Sequence, residues 1–284
     1  MIVAEQVADV RQAVREARRR DCAVGCVPTM GALHAGHESL IRASRDECAF
    51  TAVTIFVNPK QFGPHEDFTR YPRPLEEDLA RCREAGVDLV FVPTVETLYP
   101  ALFSTYVDVE PLWRVWEGAS RPGHFRGVAT VVLKLLNIVQ PDRAYFGRKD
   151  FQQQLLVRKM CRELDLPVEI RTCPTLRESD GLALSSRNRY LNAGERQTAL
   201  SLYRALQLAQ ERLQRGERDV RAVAGEMRSL LEAAGARPDY AIIADPETLD
   251  ELTIPRPDMV ALVAAQVGQT RLIDNWPITL APRS

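Results

Sequence analysis

Two histidines three residues apart close the segment Pro28-Thr29-Met30-Gly31-Ala32-Leu33-His34-Ala35-Gly36-His37. The segment follows a short apolar run containing Val24 and Val27, and it opens a helix-like pattern from Glu38 to Cys48. At the start of a helix, backbone N–H groups without intrahelical partners and the helix dipole attract anions. Imidazoles placed there can stabilise charge as a phosphoryl bond breaks. Gly31 and Gly36 permit tight turns and close approach of a phosphate to the backbone. The same residues also fit a plain glycine turn with two surface histidines, and the motif alone does not separate the two readings.

Other polar segments carry complementary chemistry. Asn58 and Gln61, in Asn58-Pro59-Lys60-Gln61-Phe62-Gly63, suit a substrate with hydroxyls and a carboxylate, because amides both donate and accept. Loop capping is the alternative for Asn58, and Lys60 is expected to point away from Gln61. In Gly147-Arg148-Lys149-Asp150 the ammonium of Lys149 suits neutralisation of a triphosphate, whereas Asp150 also suits a helix N-cap. Gln153 lies one turn beyond Asp150 on the same side. The loop Arg121 to Gly127 is either a helix entry or a mobile pocket wall bearing His124. Leu184-Ser185-Ser186-Arg187-Asn188-Arg189 offers hydroxyls and guanidinium groups that satisfy phosphate oxygens, or forms a polar linker. Of 37 basic residues only Lys60, Lys134, Lys149 and Lys159 are lysine, so each is a candidate for a position that needs a compact ammonium. Lys134 falls off the apolar stripe of its helix and is expected in solvent.

Apolar runs at 24–27, 51–57, 87–92, 143–146 and 168–173 read as buried strands. Helix patterns lie between them at 38–48, 74–85, 127–139 and 150–164, the clearest being the stripe Val128, Val131, Val132, Leu135, Leu136 and Val139. Such alternation predicts a doubly wound parallel α/β sheet. Ligands of these sheets bind beyond the carboxyl ends of the strands, near the reversal of strand order, and the polar segments fall at those ends. After Thr175 the pattern changes to two long helices, at 193–215 and 218–234. Short strands at 240–243, 259–265 and 270–273 follow. This predicts a smaller C-terminal α+β domain, with a boundary near 175–190.

Composition narrows the class. A chain of 284 residues suggests two domains, and 45% hydrophobic with 26% charged residues is ordinary for a globular protein. A formal net charge of −1 gives no reason to expect nucleic acid or an acidic membrane as partner. Arg15, Arg18, Arg19 and Arg20 read as a solvated helix end. No apolar span reaches the roughly 18 residues needed to cross a bilayer, and the N-terminal residues lack a signal-peptide pattern. The six cysteines include no C-x-x-C pair, which favours free thiols in a reducing cytoplasm.

The segments Pro28 to His37, Phe56 to Phe62, Lys149 to Gln153 and Leu184 to Leu191 together resemble the pantoate–β-alanine ligase family, within the H-x-G-H nucleotidylyltransferase superfamily. The resemblance runs from about residue 20 to 192, and the C-terminal third is similar mainly in length and composition. It implies a Rossmann-like nucleotide-binding domain, 1–176, and a C-terminal α+β lid domain, 177–284. The implied reaction joins (R)-pantoate to β-alanine with ATP and Mg²⁺, through a pantoyl adenylate, releasing pyrophosphate and AMP. A cytoplasmic homodimer is implied as well.

The resemblance also assigns roles. Met30, Gly31, Ala32, Leu33, His34, Ala35, Gly36 and His37 line the ATP site, with His37 the catalytic acid and His34 beside it. Gly147, Arg148, Lys149, Asp150, Leu176, Leu184, Ser185, Ser186 and Arg187 contact the nucleotide, and Lys149 joins the catalytic set. Gln61 contacts pantoate and, later, β-alanine, and Gln153 also binds pantoate; the reading of the residues themselves adds Asn58 and His124 as further substrate contacts, and metal ligands are not assigned. Two positions depart from the family pattern, Arg148 where glutamate is usual and His65 where asparagine is more frequent. Three other readings remain at this stage. An adenylyltransferase acting on a phosphate ester would need basic acceptor residues, and a class I aminoacyl-tRNA synthetase would need a basic anticodon-binding domain. The third is a nucleotide-sensing module without catalysis.

Overall fold

In the computed structural model, residues 1–64 and 66–281 are described, so His65 and its departure from the family pattern lie outside them. The chain divides into two compact units, one of residues 1–148 and 152–174, the other of 149–151 and 175–284.

The first unit runs β1 (Ile2–Ala4), α1 (Val7–Arg18), β2 (Val24–Thr29), α2 (Ala35–Glu47), β3 (Phe50–Ile55), α3 (Leu75–Glu84), β4 (Leu89–Phe91), α4 (Val95–Leu98), α5 (Glu117–Ser120), α6 (His124–Val139), β5 (Arg143–Gly147), α7 (Phe151–Glu163) and β6 (Glu169–Cys173). The strands form one parallel sheet in the order β1-β4-β3-β2-β5-β6. From β2 the chain winds outward through β3 to β4, then returns to place β5 on the other side of β2. Strand order therefore reverses between β2 and β5, the position where such sheets bind ligands. Register pairs Thr29 with Ile55 and Gly147 with Cys173, so four loops leave the same edge.

The layers follow from side-chain periodicity. Both faces of a parallel sheet are covered, so β2 and β3 are apolar almost throughout. On one face Leu40 and Ile41 of α2 and Cys82 of α3 pack on Val27, Val53, Val90 and Tyr145. On the other lie α1, buried through Val10, Ala13, Val14 and Ala17, and α6 with its apolar stripe. The expected doubly wound α/β sheet is present. Four elements are additional: β1 and the one-turn helices α4 and α5 are too short to show a periodicity, and α1 shows in the sequence only through its terminal arginines. Lys134 is half-buried rather than solvated, with its ammonium 5.0 Å from the Phe103 ring centroid. All six cysteines are free.

The second unit contains α8 (Ala193–Gln214), α9 (Val220–Ala233), β7 (Arg237–Ala244), β8 (Asp258–Val267) and β9 (Thr270–Thr279). The strands form an antiparallel sheet in the order β7-β8-β9. Helix α8 starts at a capping box, in which Asn192 Oδ1 accepts from the Glu195 N–H and Glu195 answers the Asn192 N–H. Leu202, Leu206, Val223, Met227 and Leu231 from the helices meet Ile243, Ala261 and Val263 of the sheet in a continuous core. Among the described residues no helix is long and apolar enough to cross a membrane. Leu206 is 0% exposed, so Leu206→Ala should cost about 2–5 kcal/mol. A lowered urea midpoint for the C-terminal unit, followed by hydrogen exchange of β8 amides, checks this; an unchanged midpoint would show that the site collapses without loss.

Candidate active site

The turn after β2 holds two consecutive residues with left-handed backbone, Gly31 (φ +80°) and Ala32 (φ +49°). Glycine meets this demand freely, whereas alanine is strained there. Compensation comes from a side chain far away in sequence. Asp78 of α3, 1% exposed, accepts from the Ala32 N–H at 2.8 Å through Oδ2 and from the Leu33 N–H at 2.7 Å through Oδ1. Thr29 Oγ1 accepts from the Gly31 N–H at 3.1 Å and donates to Thr54 O at 2.7 Å. Burial pushes the Asp78 carboxyl pKa up, and the two amide bonds pull it back. A Cβ on Gly31 would lie 2.9 Å from Asp78 Oδ2, so glycine is also required for space.

This turn delivers His34 to the N-cap of α2. His34 Nδ1 accepts from the Gly36 N–H at 3.1 Å, and His37 Nδ1 accepts from the His34 N–H at 3.4 Å. The rings lie 4.2 Å apart, centroid to centroid, and tilted by 41°. A backbone N–H can only donate, so each neutral imidazole carries its proton on Nε2 and donates from that atom. The N–H groups of His37 and Glu38 both go to His34 O. The expected open donors of the helix start are thus largely spent on His34. What the turn presents to an anion is a pair of imidazole donors together with the field of α2.

The amides after β3 are tightly held. Asn58, 1% exposed, donates through Nδ2 to Gln61 Oε1 at 3.1 Å and to Gly127 O at 3.1 Å. Its Oδ1 accepts from Tyr99 OH at 2.8 Å and from the Lys60 N–H at 3.2 Å. With its donors and acceptor engaged by the protein, Asn58 serves to orient Gln61, whose Nε2 donates to Met30 Sδ at 3.0 Å. Lys60 points away, its ammonium 5.0 Å from the Tyr99 and Tyr106 ring centroids. At Gly127 a Cβ would stand 2.2 Å from Lys60 O, so α6 approaches this turn only because residue 127 is glycine.

His124 opens α6 and is buried. Its Nδ1 lies 2.8 Å from Gln61 O, an acceptor, so the proton sits on Nδ1; Nε2 then accepts from Arg121 Nη1 at 3.0 Å. Arg121 in turn forks onto Glu66, Nε to Oε1 and Nη2 to Oε2, each at 2.7 Å. The Glu66–Arg121–His124 chain therefore ends on the Gln61 backbone. Burial, helped by the Arg121 charge, lowers the His124 pKa to about 4.

Three consecutive glutamines on α7 have separate fates. Gln152, 4% exposed, holds Leu112 O at 2.6 Å, Val115 O at 2.9 Å and the Glu117 N–H at 3.1 Å. Gln154, 2% exposed, accepts from Thr172 Oγ1 at 2.9 Å. Gln153 is half-buried, and among the described residues its amide has no hydrogen-bond partner. At the end of β5, Gly147 is followed by Arg148, whose N–H donates to Cys173 O at 2.8 Å. An apolar cleft of about 290 Å³, lined by Ile55, Phe56, Phe68, Leu75 and Val92, opens onto Met30 and Gly31 from the β3–β4 side.

The second unit carries the other expected residues. Lys149 is mostly buried, with its ammonium 3.6 Å from Asp150 Oδ1. Leu176 is exposed, and the Leu184 N–H donates to Leu176 O at 3.0 Å, closing a hairpin. Ser185 Oγ accepts from the Arg187 N–H at 3.3 Å and caps a short 3₁₀ turn, Ser186–Tyr190. Thr175 Oγ1, just before the hairpin, is buried without a protein partner among the described residues.

Comparison with known proteins decides the family. A family model described as Pantoate-beta-alanine ligase matches residues 2–277. The chain belongs to the pantoate–β-alanine ligase family. The pantothenate synthetase of Moorella thermoacetica is 53% identical to it over 276 residues, covering 97% of this chain and 98% of that protein. A crystal structure of pantothenate synthetase from Thermus thermophilus superposes with a TM-score of 0.92 at 50% identity, covering 97% of this chain and 99% of that one. Pantoate-beta-alanine ligase from Francisella tularensis, crystallised with beta-gamma ATP and beta-alanine, matches with a TM-score of 0.79 at 33% identity and 97% coverage of each chain.

For this pantoate–β-alanine ligase family member, Asp78, Tyr99 and Glu66, which no sequence motif singles out, support the site from elsewhere in the chain, and Arg121 supports it from the loop that carries His124. The Arg121–His124 contact has a measurable consequence. Because the folded pKa of His124 lies near 4, below the ordinary histidine value near 6.5, only the unfolded chain takes up this proton between those pH values. This contribution to stability is complete above pH 6.5 and is lost as pH falls toward 4. His124→Asn, which keeps a donor for Gln61 O, should flatten that dependence by up to about 1.4 kcal/mol per pH unit. Urea midpoints at pH 6.5 and 4.5 for both proteins check it, and equal slopes would refute it.

Proposed function

We propose that this chain, an amide-forming ligase that condenses pantoate with β-alanine using ATP, works through an enzyme-held pantoyl adenylate. In the first step a pantoate carboxylate oxygen attacks the α-phosphorus of ATP. The bond to the bridging oxygen breaks, and pyrophosphate leaves. In the second, the β-alanine amine attacks the acyl carbon, the C–N bond forms, AMP departs and the nitrogen loses a proton. The observation that carries this reading is the reciprocally capped His34–His37 pair beside the reversal of strand order.

Pantoate is already ionised near neutral pH, so the first step needs charge neutralisation more than a strong base. The Nε2–H groups of His34 and His37 are suited to donate to phosphate oxygens, His37 to the group that departs. Met30 to Gly36 provide the turn on which the nucleotide rests. On the family resemblance, Gly147, Arg148, Lys149, Asp150, Leu176, Leu184, Ser185, Ser186 and Arg187 contact the nucleotide, with Lys149 supplying mobile positive charge. The partnerless Thr175 hydroxyl supports a ligand next to Leu176. Gln61 and Gln153 bind pantoate; Asn58 and His124 hold Gln61 in place.

Among the described residues no group of three or more His, Cys, Asp or Glu side chains is arranged to hold a metal. Mg²⁺ fits this protein as an ion carried on ATP phosphates with at most one or two carboxylates, Asp150 being the one beside Lys149. When bound it neutralises triphosphate charge. A cytoplasmic location, supported by six free cysteines, and a homodimer, supported by the family resemblance, belong to the same proposal.

Exchange of labelled pyrophosphate into ATP tests the scheme. It should require (R)-pantoate and proceed without β-alanine; pantoate-independent exchange, or pantothenate formation with no exchange, would overturn the adenylate. Lys149→Ala should lower the exchange rate by about 10²–10³-fold. Gln153→Ala should raise the KM for pantoate about tenfold while leaving that for ATP near its original value.

A further inference from the structure

Strand β9 carries Asp274, Asn275 and Trp276, none of which has a part in the scheme above. Asp274 and Asn275 are 5% and 2% exposed. Arg177 forks onto Asp274, Nη1 to Oδ2 at 2.6 Å and Nη2 to Oδ1 at 2.9 Å. Its guanidinium also donates to Gly181 O at 3.0 Å and Asn275 O at 3.3 Å. The plane is set by two aromatic rings, with Tyr203 at 4.5 Å and Trp276 at 5.2 Å from the guanidinium carbon. A buried ion pair is weak grounds for stability, because desolvation offsets most of the attraction. Its use here lies in what it positions.

Two connections leave the pair. On one side Asp274 Oδ1 accepts from the Asn275 N–H at 2.7 Å, and Asn275 Nδ2 donates to Lys149 O at 2.9 Å. The peptide from which the Lys149 side chain springs is thereby tied to β9. On the other side Arg177 forms an isolated bridge with Ala183 inside the hairpin 176–184. That hairpin is closed by the Glu178 N–H on Leu182 O at 2.8 Å and by Leu184 on Leu176, and it leads directly to Ser185 and Arg187. Its tip is Gly181 (φ +96°), where a Cβ would stand 2.3 Å from the Tyr203 ring.

We propose that Arg177, Asp274 and Asn275 form a positioning hub that fixes the Lys149 peptide and the Leu184–Arg187 turn in one geometry for the nucleotide's phosphates. The hub rests on the reading of Lys149 and that turn as nucleotide contacts. Its members are positioning residues and touch no reacting atom. A lysine ammonium sits on a flexible four-carbon stem, so where it acts depends on where its backbone is anchored. A misplacement near 1 Å in such a group is enough to cost about 10²-fold in rate.

The test uses the full chain and pantoate-dependent ATP–pyrophosphate exchange. Asn275→Ala removes the tie to Lys149 O and leaves the ion pair in place. It should lower kcat for exchange by about ten- to a hundredfold, with the KM for pantoate unchanged. Asn275→Asp, equal in size but without the donor, should be no better than Asn275→Ala. Arg177→Lys keeps the charge and loses the fork, and should raise the KM for ATP as well. Wild-type exchange in Asn275→Ala beside an inactive Lys149→Ala would overturn the hub alone. Wild-type exchange in Lys149→Ala would overturn the reading beneath it and the hub together. Loss of pantoate affinity in step with a fallen urea midpoint would mark a merely structural role and overturn the proposal too.

Discussion

The two imidazoles depend on a carboxylate forty-odd residues away. Between β2 and α2 the backbone takes two successive left-handed steps, at Gly31 and Ala32, before His34 can cap the helix. A non-glycine residue in that region costs about 1–2 kcal/mol. The buried Asp78 carboxylate answers the two N–H groups that follow, and charge-assisted bonds of this kind are strong enough to offset the strain. The histidines come to the sheet edge because α3 packs on the same face as α2 and brings Asp78 under the turn. Pre-organisation here is bought with a buried charge.

The same device recurs wherever a loop must hold one conformation. Asn58 answers Tyr99, Lys60, Gln61 and Gly127, and Gln152 pins the irregular stretch 112–117. The Arg121 fork restrains His124, which restrains Gln61. Each is a buried or half-buried polar side chain whose capacity is spent on backbone or on another held side chain, as burial demands. The residues proposed to meet substrate are arranged differently. Gln153 keeps an amide without a partner among the described residues, and His34 and His37 use Nδ1 for the cap, which leaves Nε2 as the donor nitrogen. Supporting and contacting residues thus differ in where their hydrogen bonds go, not in residue type.

That distinction explains what was legible in the sequence. Strands β2, β3 and β5 read as strands because both sheet faces are covered, and their polar loops are contiguous in sequence, so both could be read together; β6, expected to be buried, is instead a half-buried edge strand. Helix α6 shows its stripe plainly. In contrast, β1 has three residues and no periodicity to display. Asp78 sits in Glu76-Glu77-Asp78, which looks like ordinary acidic bias in a first helical turn. Gln152, Gln153 and Gln154 are identical letters, and only the packing of α7 separates two internal clamps from one open amide. Asn58 reads as a substrate contact for the same reason, since a buried amide and an exposed one are spelled alike. Asp274 and Arg177 are 97 positions apart, beyond any local pattern.

The donor balance at α2 finally constrains the chemistry. If Gly36, His37 and Glu38 offered their N–H groups outward, the helix start alone could cradle an anion. They point to His34 instead, so the turn is closed by its own hydrogen bonds and the donors that its imidazoles carry are Nε2–H groups. Each Nδ1 is held as an acceptor, and a proton added there would break the cap that orients both rings. The pair therefore suits neutral donation, and in the proposed reaction net positive charge for the phosphates has to come from other side chains. A compact ammonium is the group best able to follow charge from the α-phosphate to the departing pyrophosphate. In the proposed reaction the turn after β2 supplies neutral donors, and Lys149 supplies the cation.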